Sequence, residues 1–367
     1  MHRSKQDYSI SSSARPRSET GTVRPSALGS YCKRKGIAMI IDIYTHLAPR
    51  SFLAKMNDMS PALRNITDRL LSVKALYDLD VRFRAMDAAD DYRQVISLPN
   101  PSLEECTSPE GGRDLARIAN DEMAELCTKY PSRFAGFIAG ISLNDVPSAL
   151  EEIDRSINQL GAVGVQTYTN INGLPLDDPR FVPFFAKLAA HDRPIWLHPT
   201  RAASVRDYQS ETKSRYEMWW CFGWPYDTSV AMARLVFSGL FDRHPDLKII
   251  THHLGGMIPY FDGRVGPGLD VLGSRTADED YSSVLSSLKR PHLDYFRMFF
   301  ADTALFGSAG GLQCGLDFFG ADHVVFATDA PLGPIEKTVE AIGQTLTPEA
   351  KKSVFSENAR KLLRLPA

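Results

Sequence analysis

A chain of 367 residues has room for one large α/β barrel or two ordinary domains, and 43% hydrophobic with 23% charged residues is the balance of a globular protein. A formal net charge of −2 gives no electrostatic case for nucleic acid or an anionic membrane as partner, and no apolar run approaches the ~18 residues of a membrane span. Cys32, Cys106, Cys127, Cys221 and Cys314 are scattered and form no CxxC pair, which argues against a disulfide framework or a cysteine zinc cage and suits a reducing, cytoplasmic compartment.

Residues 1–38 differ from everything after them. They carry Arg3, Lys5, Arg15, Arg17, Arg24, Lys33, Arg34 and Lys35 against Asp7 and Glu19, with frequent serines and no apolar periodicity. So little apolar surface cannot offset the entropy of ordering, and a disordered extension is expected. The alternatives are a start read too early, since Met39 directly precedes the first strand, and an organellar transit peptide.

From Met39 the pattern is βαβα. Strands are expected at 40–44, 94–98, 134–139, 163–168, 194–197, 248–253, 297–301 and 323–327. Helical spacing of apolar residues predicts helices at 80–89, 116–130, 149–159, 181–190 and 228–239, and two more from about Ile335 and about Pro348. The stretch between the first strand and Leu71 is mostly polar without clear periodicity. Residues 200–226 form an insertion after the fifth strand that holds Tyr208, Tyr216, Trp219, Trp220, Phe222 and Trp224. That is too aromatic for disorder and reads as a lid. Strands and helices alternating in this way point to a (β/α)₈ TIM barrel, one domain over 39–367. An open doubly wound sheet is disfavoured because no Gly-rich phosphate loop follows the first strand.

Four apolar runs end in metal-type or acid/base side chains: His46, His198, His253 and Asp329. Barrel active sites sit at the C-terminal ends of strands. Neutral imidazoles plus a carboxylate are the usual ligands of a catalytic Zn²⁺ or similar ion. Tyr44, two residues before His46, faces the same side of its strand. His252, next to His253, is expected to point the opposite way, into packing.

The segment Ile41-Asp42-Ile43-Tyr44-Thr45-His46-Leu47-Ala48-Pro49 resembles the opening of the amidohydrolase superfamily. The branch is that of aminocarboxymuconate-semialdehyde decarboxylase and the non-oxidative aromatic-acid decarboxylases. His198-Pro199, Pro245-Asp246-Leu247-Lys248 with His253-Leu254-Gly255-Gly256, and Ala327-Thr328-Asp329-Ala330-Pro331 match its later motifs in order, over residues 39–365.

The resemblance implies one divalent metal, Zn or Mn, on His46, His198 and Asp329. His253 stands beside it and handles protons together with Asp329, as a neutral imidazole suits. Tyr44 replaces the branch's first histidine, as a phenolate ligand, a hydrogen-bond partner of substrate, or a space filler. Asp302 orients a ligand or binds substrate. Trp220 lines the substrate pocket, with Trp219 and Trp224 equally placed, and Arg69 holds a substrate carboxylate. The implied activity is metal-dependent decarboxylation of a small unsaturated or aromatic carboxylic acid. The alternatives are hydrolysis of an ester, lactone or C–C bond at the same site, or a non-catalytic relative. A homodimer is expected by the same resemblance.

Overall fold

The molecule is built on eight parallel strands that follow one another around a ring. They are β1 (Ile40–His46), β2 (Tyr92–Ser97), β3 (Phe134–Ala139), β4 (Gly164–Tyr168), β5 (Ile195–His198), β6 (Ile249–Thr251), β7 (Phe300–Asp302) and β8 (Val324–Val325). The structure, a computed structural model, describes residues 39–59, 64–87, 89 and 91–365. The readings of residues 1–38 lie outside the described residues. The last strand returns to the first: Ile43 N donates to Phe326 O at 3.0 Å, and His46 N to Ala330 O at 2.8 Å. Asp42 fastens the same seam. Its buried carboxylate accepts from Thr328 N at 3.1 Å, Tyr44 N at 3.3 Å and the Tyr92 hydroxyl. The expected TIM barrel is the observed fold.

Strand alternation divides the core in two. On β5, Ile195 and Leu197 face the outer helices, while Trp196 faces inward with His198 two residues on. The inner core also contains Ile41, Ile43, Val95, Ile138, Ile250 and Val325. The C-terminal helix (Asn358–Leu363) plugs its floor with Leu362 and Leu363.

Several elements differ from expectation. The stretch read as aperiodic forms the helices Arg50–Met59 and Arg64–Ser72. The first of these buries only Phe52, Leu53 and Met56, a stripe too narrow to announce itself. The helix expected from 116 begins at Pro109, where Ser108 caps it by accepting from Gly111 N at 3.2 Å. A helix at Ala309–Phe319 was not anticipated, and the residues before β7 form the short helix His292–Phe296. The aromatic insertion holds a single helical turn, Met218–Cys221, and leads into the helix Gly223–Phe237. Among the described residues no helix is long and apolar enough to cross a membrane.

Candidate active site

Polar side chains crowd the C-terminal mouth of the barrel, directly above the apolar layers. His46 ends β1 fully buried, with Nδ1 donating to Leu98 O at 3.0 Å and Ser97 Oγ at the same distance. His198 ends β5, with Nδ1 donating to Pro199 O at 2.6 Å. These bonds leave each Nε2 to face the centre. Asp329 follows β8 in a left-handed turn (φ 64°), a conformation aspartate tolerates better than most residues, and its carbonyl accepts from Leu332 N and Gly333 N. Its Oδ1 lies 2.9 Å from His46 Nε2 and 3.8 Å from His252 Nε2.

The imidazoles form one cluster. Ring centroids are 5.4 Å apart for His46 and His198, 5.1 Å for His198 and His252, and 3.7 Å for His252 and His253. His46 Nε2, His252 Nε2, His253 Nδ1 and Asp329 Oδ1 are all buried without a hydrogen-bond partner. His46 and Asp329 are close, but not aligned to bond one another. Buried polar atoms are nearly always paired. Four orphans around one point are what a bound cation would satisfy, so the residues present fit a divalent ion.

Burial first, and the neighbouring His252 and His46 second, hold His198 well below the ordinary imidazole range. Burial and His252 push His253 down to about 3. Burial would lower His252 too, but the Asp302 carboxylate outweighs it and raises the group. Burial would raise Asp329, but His46, His252 and His253 together hold it below the usual carboxylate range. Burial, then Tyr168, Asp302 and Asp329, push the Tyr44 phenol up.

The structure overturns one expectation, at His252, and places the other expected residues around it. His252 does not turn away into packing. Ile250 faces the inner core and so does His252 two residues on; past the end of β6 at Thr251, positive φ at His253, Leu254, Gly255 and Gly256 breaks the alternation and brings His253 to the site as well. The three residues whose ligand atoms all lie within 4.8 Å of one another are accordingly His252, His253 and Asp329, with His46 and His198 bordering them. Asp302, expected to orient a ligand or bind substrate, is fully buried behind His252. One of its oxygens accepts a hydrogen bond from His252 Nδ1 and the other from Ala304 N at 3.1 Å. Trp220 stands in an outer layer, its indole N–H donating to Glu217 at 3.0 Å. Trp224 is the indole against the histidines, 5.5 Å from the His198 ring and stacked 6.2 Å from His253, with its own N–H buried and unpartnered. Arg69 reaches the same wall, its guanidinium 5.6 Å from the centroid of Trp219.

Two contributors escaped the sequence reading. Gln166 accepts from the Tyr44 hydroxyl at 3.0 Å and donates to Leu98 O and Tyr168 Oη. Its signal was a polar residue two positions from Tyr168 in an apolar strand. Arg82, buried on the helix Leu79–Met86, donates to His46 O, Gln94 Oε1 and Thr45 Oγ1, and so fixes the end of β1. Nothing in the spacing marked it.

Residues 53–365 match the amidohydrolase family. The chain belongs to that family. This amidohydrolase is 33% identical over 314 residues to gamma-resorcylate decarboxylase of Rhodococcus jostii, an alignment covering 81% of this chain and 89% of the relative. The crystal structure of 5-carboxyvanillate decarboxylase from Sphingomonas paucimobilis superposes with a TM-score of 0.77 at 26% identity, covering 90% of this chain and 100% of that one. A dihydroxybenzoic acid decarboxylase from Polaromonas, solved with bound manganese and the inhibitor 2-nitroresorcinol, gives a TM-score of 0.73 at 26% identity, covering 89% and 97%. The resemblance drawn from the ordered motifs is thereby borne out.

Proposed function

We infer that this amidohydrolase is a metal-dependent, non-oxidative decarboxylase of a small aromatic carboxylic acid. The observation that carries the reading is the set of four unpartnered imidazole and carboxylate atoms converging beneath the Trp224 ring. Relatives that decarboxylate hydroxylated benzoic acids favour this over the hydrolytic alternative.

His46, His198 and Asp329 would hold the ion. Zn and Mn both suit imidazole and carboxylate ligands, and the Polaromonas relative was solved with manganese. The bound ion would supply Lewis-acid stabilisation of the negative charge that develops as the C–C bond breaks. The protein's own groups do the rest. Trp224 offers a flat apolar face to an aromatic ring and an indole N–H to one of its oxygens. Arg69, at the Trp219 edge of the wall, is placed to attract an incoming carboxylate. Asp329 and His253, both held below their usual ranges, are the groups placed to pass a proton from a substrate hydroxyl or water to the ring carbon that loses CO₂.

The test is CO₂ release from 2,6-dihydroxybenzoate, 5-carboxyvanillate and related acids by the full chain dialysed against Zn²⁺ or Mn²⁺. Turnover in the parent protein, absent in His198→Ala, is the expected result. Product carrying solvent ¹⁸O, with no CO₂ evolved from any acid, would overturn the reading in favour of hydrolysis.

A further inference from the structure

The mouth of the barrel contains a compensation that the strand 1 motif leaves open. Tyr44 stands where the resemblance places a histidine, but its hydroxyl is committed to Gln166 on β4. Its ring fills the space between His46, His198 and His252, with centroids 5.2, 5.8 and 4.7 Å away. Tyr44 thus occupies the position without offering an atom to the centre.

His252 offers one. Its ring is buried, its Nδ1 is held by Asp302, and its Nε2 is buried, unpartnered and 3.8 Å from Asp329 Oδ1. Two ligands that each sit ~2.1 Å from one ion lie roughly 3–4 Å apart, so this separation and the 2.9 Å between Asp329 and His46 both suit a shared ion. Three histidines now show one pattern: His46, His198 and His252 each tie Nδ1 to a protein oxygen and leave Nε2 toward the centre. A carboxylate behind a ligating imidazole is the usual way its tautomer and direction are fixed. His253 lacks such an anchor and stacks on Trp224, which leaves it on the substrate side.

We propose that His252, oriented by Asp302, supplies the metal with the imidazole that position 44 does not. The proposal rests on the metal-dependent reading above and assigns Tyr44 a packing role. It makes Asp302 a positioning residue.

The test is metal affinity, read without substrate. The full chain is loaded with Zn²⁺ and titrated against a chromophoric chelator. X-ray absorption on the unsubstituted protein counts the coordinated imidazoles, a readout that needs no variant to fold. Three imidazoles are expected. Tyr44→Phe should hold Zn²⁺ within about twofold of the parent, His252→Ala should weaken it by about 100-fold or more, and Asp302→Asn by about 10- to 100-fold. A histidine introduced by Tyr44→His should restore most of the affinity lost in His252→Ala. Two imidazoles, with His252→Ala binding as tightly as the parent while His198→Ala does not, would overturn the proposal and leave the decarboxylase reading standing. A parent protein that takes up no Zn²⁺ or Mn²⁺ would overturn both.

Discussion

The two ends of the barrel interior use the same strands for opposite purposes. At the floor, Ile41, Ile43, Val95, Ile138, Val163, Trp196 and Val325 close on Leu362 and Leu363. At the mouth, two to four residues further along, His46, His198, His252 and Asp329 are nearly as buried, but His46 Nε2, His252 Nε2 and Asp329 Oδ1 lack partners. Burial at the floor is favourable by about 25 cal/mol per Å² of apolar surface. Burial at the mouth works against the fold, because an unpaired polar atom forfeits its hydration. The fold supplies the stability, and the mouth draws on it to hold groups in readiness for an ion and a substrate.

Substitutions at the two ends should therefore separate activity from stability. The largest effect is expected from Asp329→Ala. Turnover should fall on the order of 10⁴-fold, about 5 kcal/mol in the barrier, while the denaturant midpoint of the metal-free protein holds or rises. A midpoint that falls in step with activity would erase the distinction. Trp196→Ala, at the floor, should do the reverse. Removing a fully buried indole should cost about 4 kcal/mol in guanidinium unfolding, with Zn²⁺ bound per folded molecule unchanged.

The smallest effect sharpens the contrast between buried carboxylates. Asp329 is held low by imidazoles, whereas Glu104, just after β2, has none nearby, and burial pushes it up to about 7 although Leu143 N donates to it. A folded value near 7 against an unfolded value of 4.5 means that the native state keeps this proton longer. The stabilisation is fully present below pH ~4.5 and is lost as pH rises through 7, by at most about 3 kcal/mol. Glu104→Gln should lose that slope while keeping the bond to Leu143. Parallel stability–pH profiles for the two proteins would refute the assignment.

The barrel was legible because its strands are short apolar runs, and runs that end in His46, His198 and Asp329 declare their polar ends. The family followed from the order of those ends. Less legible was whatever depended on the chain leaving regular geometry. Alternation counted from His253 turned His252 outward; counted from the inward Ile250 it turns His252 inward, and the positive φ at His253 brings the second histidine to the same side. The choice among three tryptophans needed the path of the insertion, which no period encodes. That path is set where Gly256 meets the helix carrying Trp224, since a Cβ there would come within 2.4 Å of Pro225 O. Arg82 sits among polar neighbours on a short helix, and only the folded β1 shows what its guanidinium holds.

The seam fastened by Asp42 also fixes the order in which the molecule can be made. Thr328, which closes on it, lies 286 residues downstream. The strand synthesised first has no finished neighbour on that side until the strand synthesised last arrives, and pairing across so long a stretch comes late in folding. A site that draws on both His46 and Asp329 therefore has no partial form on the ribosome. Nascent or C-terminally clipped chains present scattered histidines, and only the completed ring offers an ion a home.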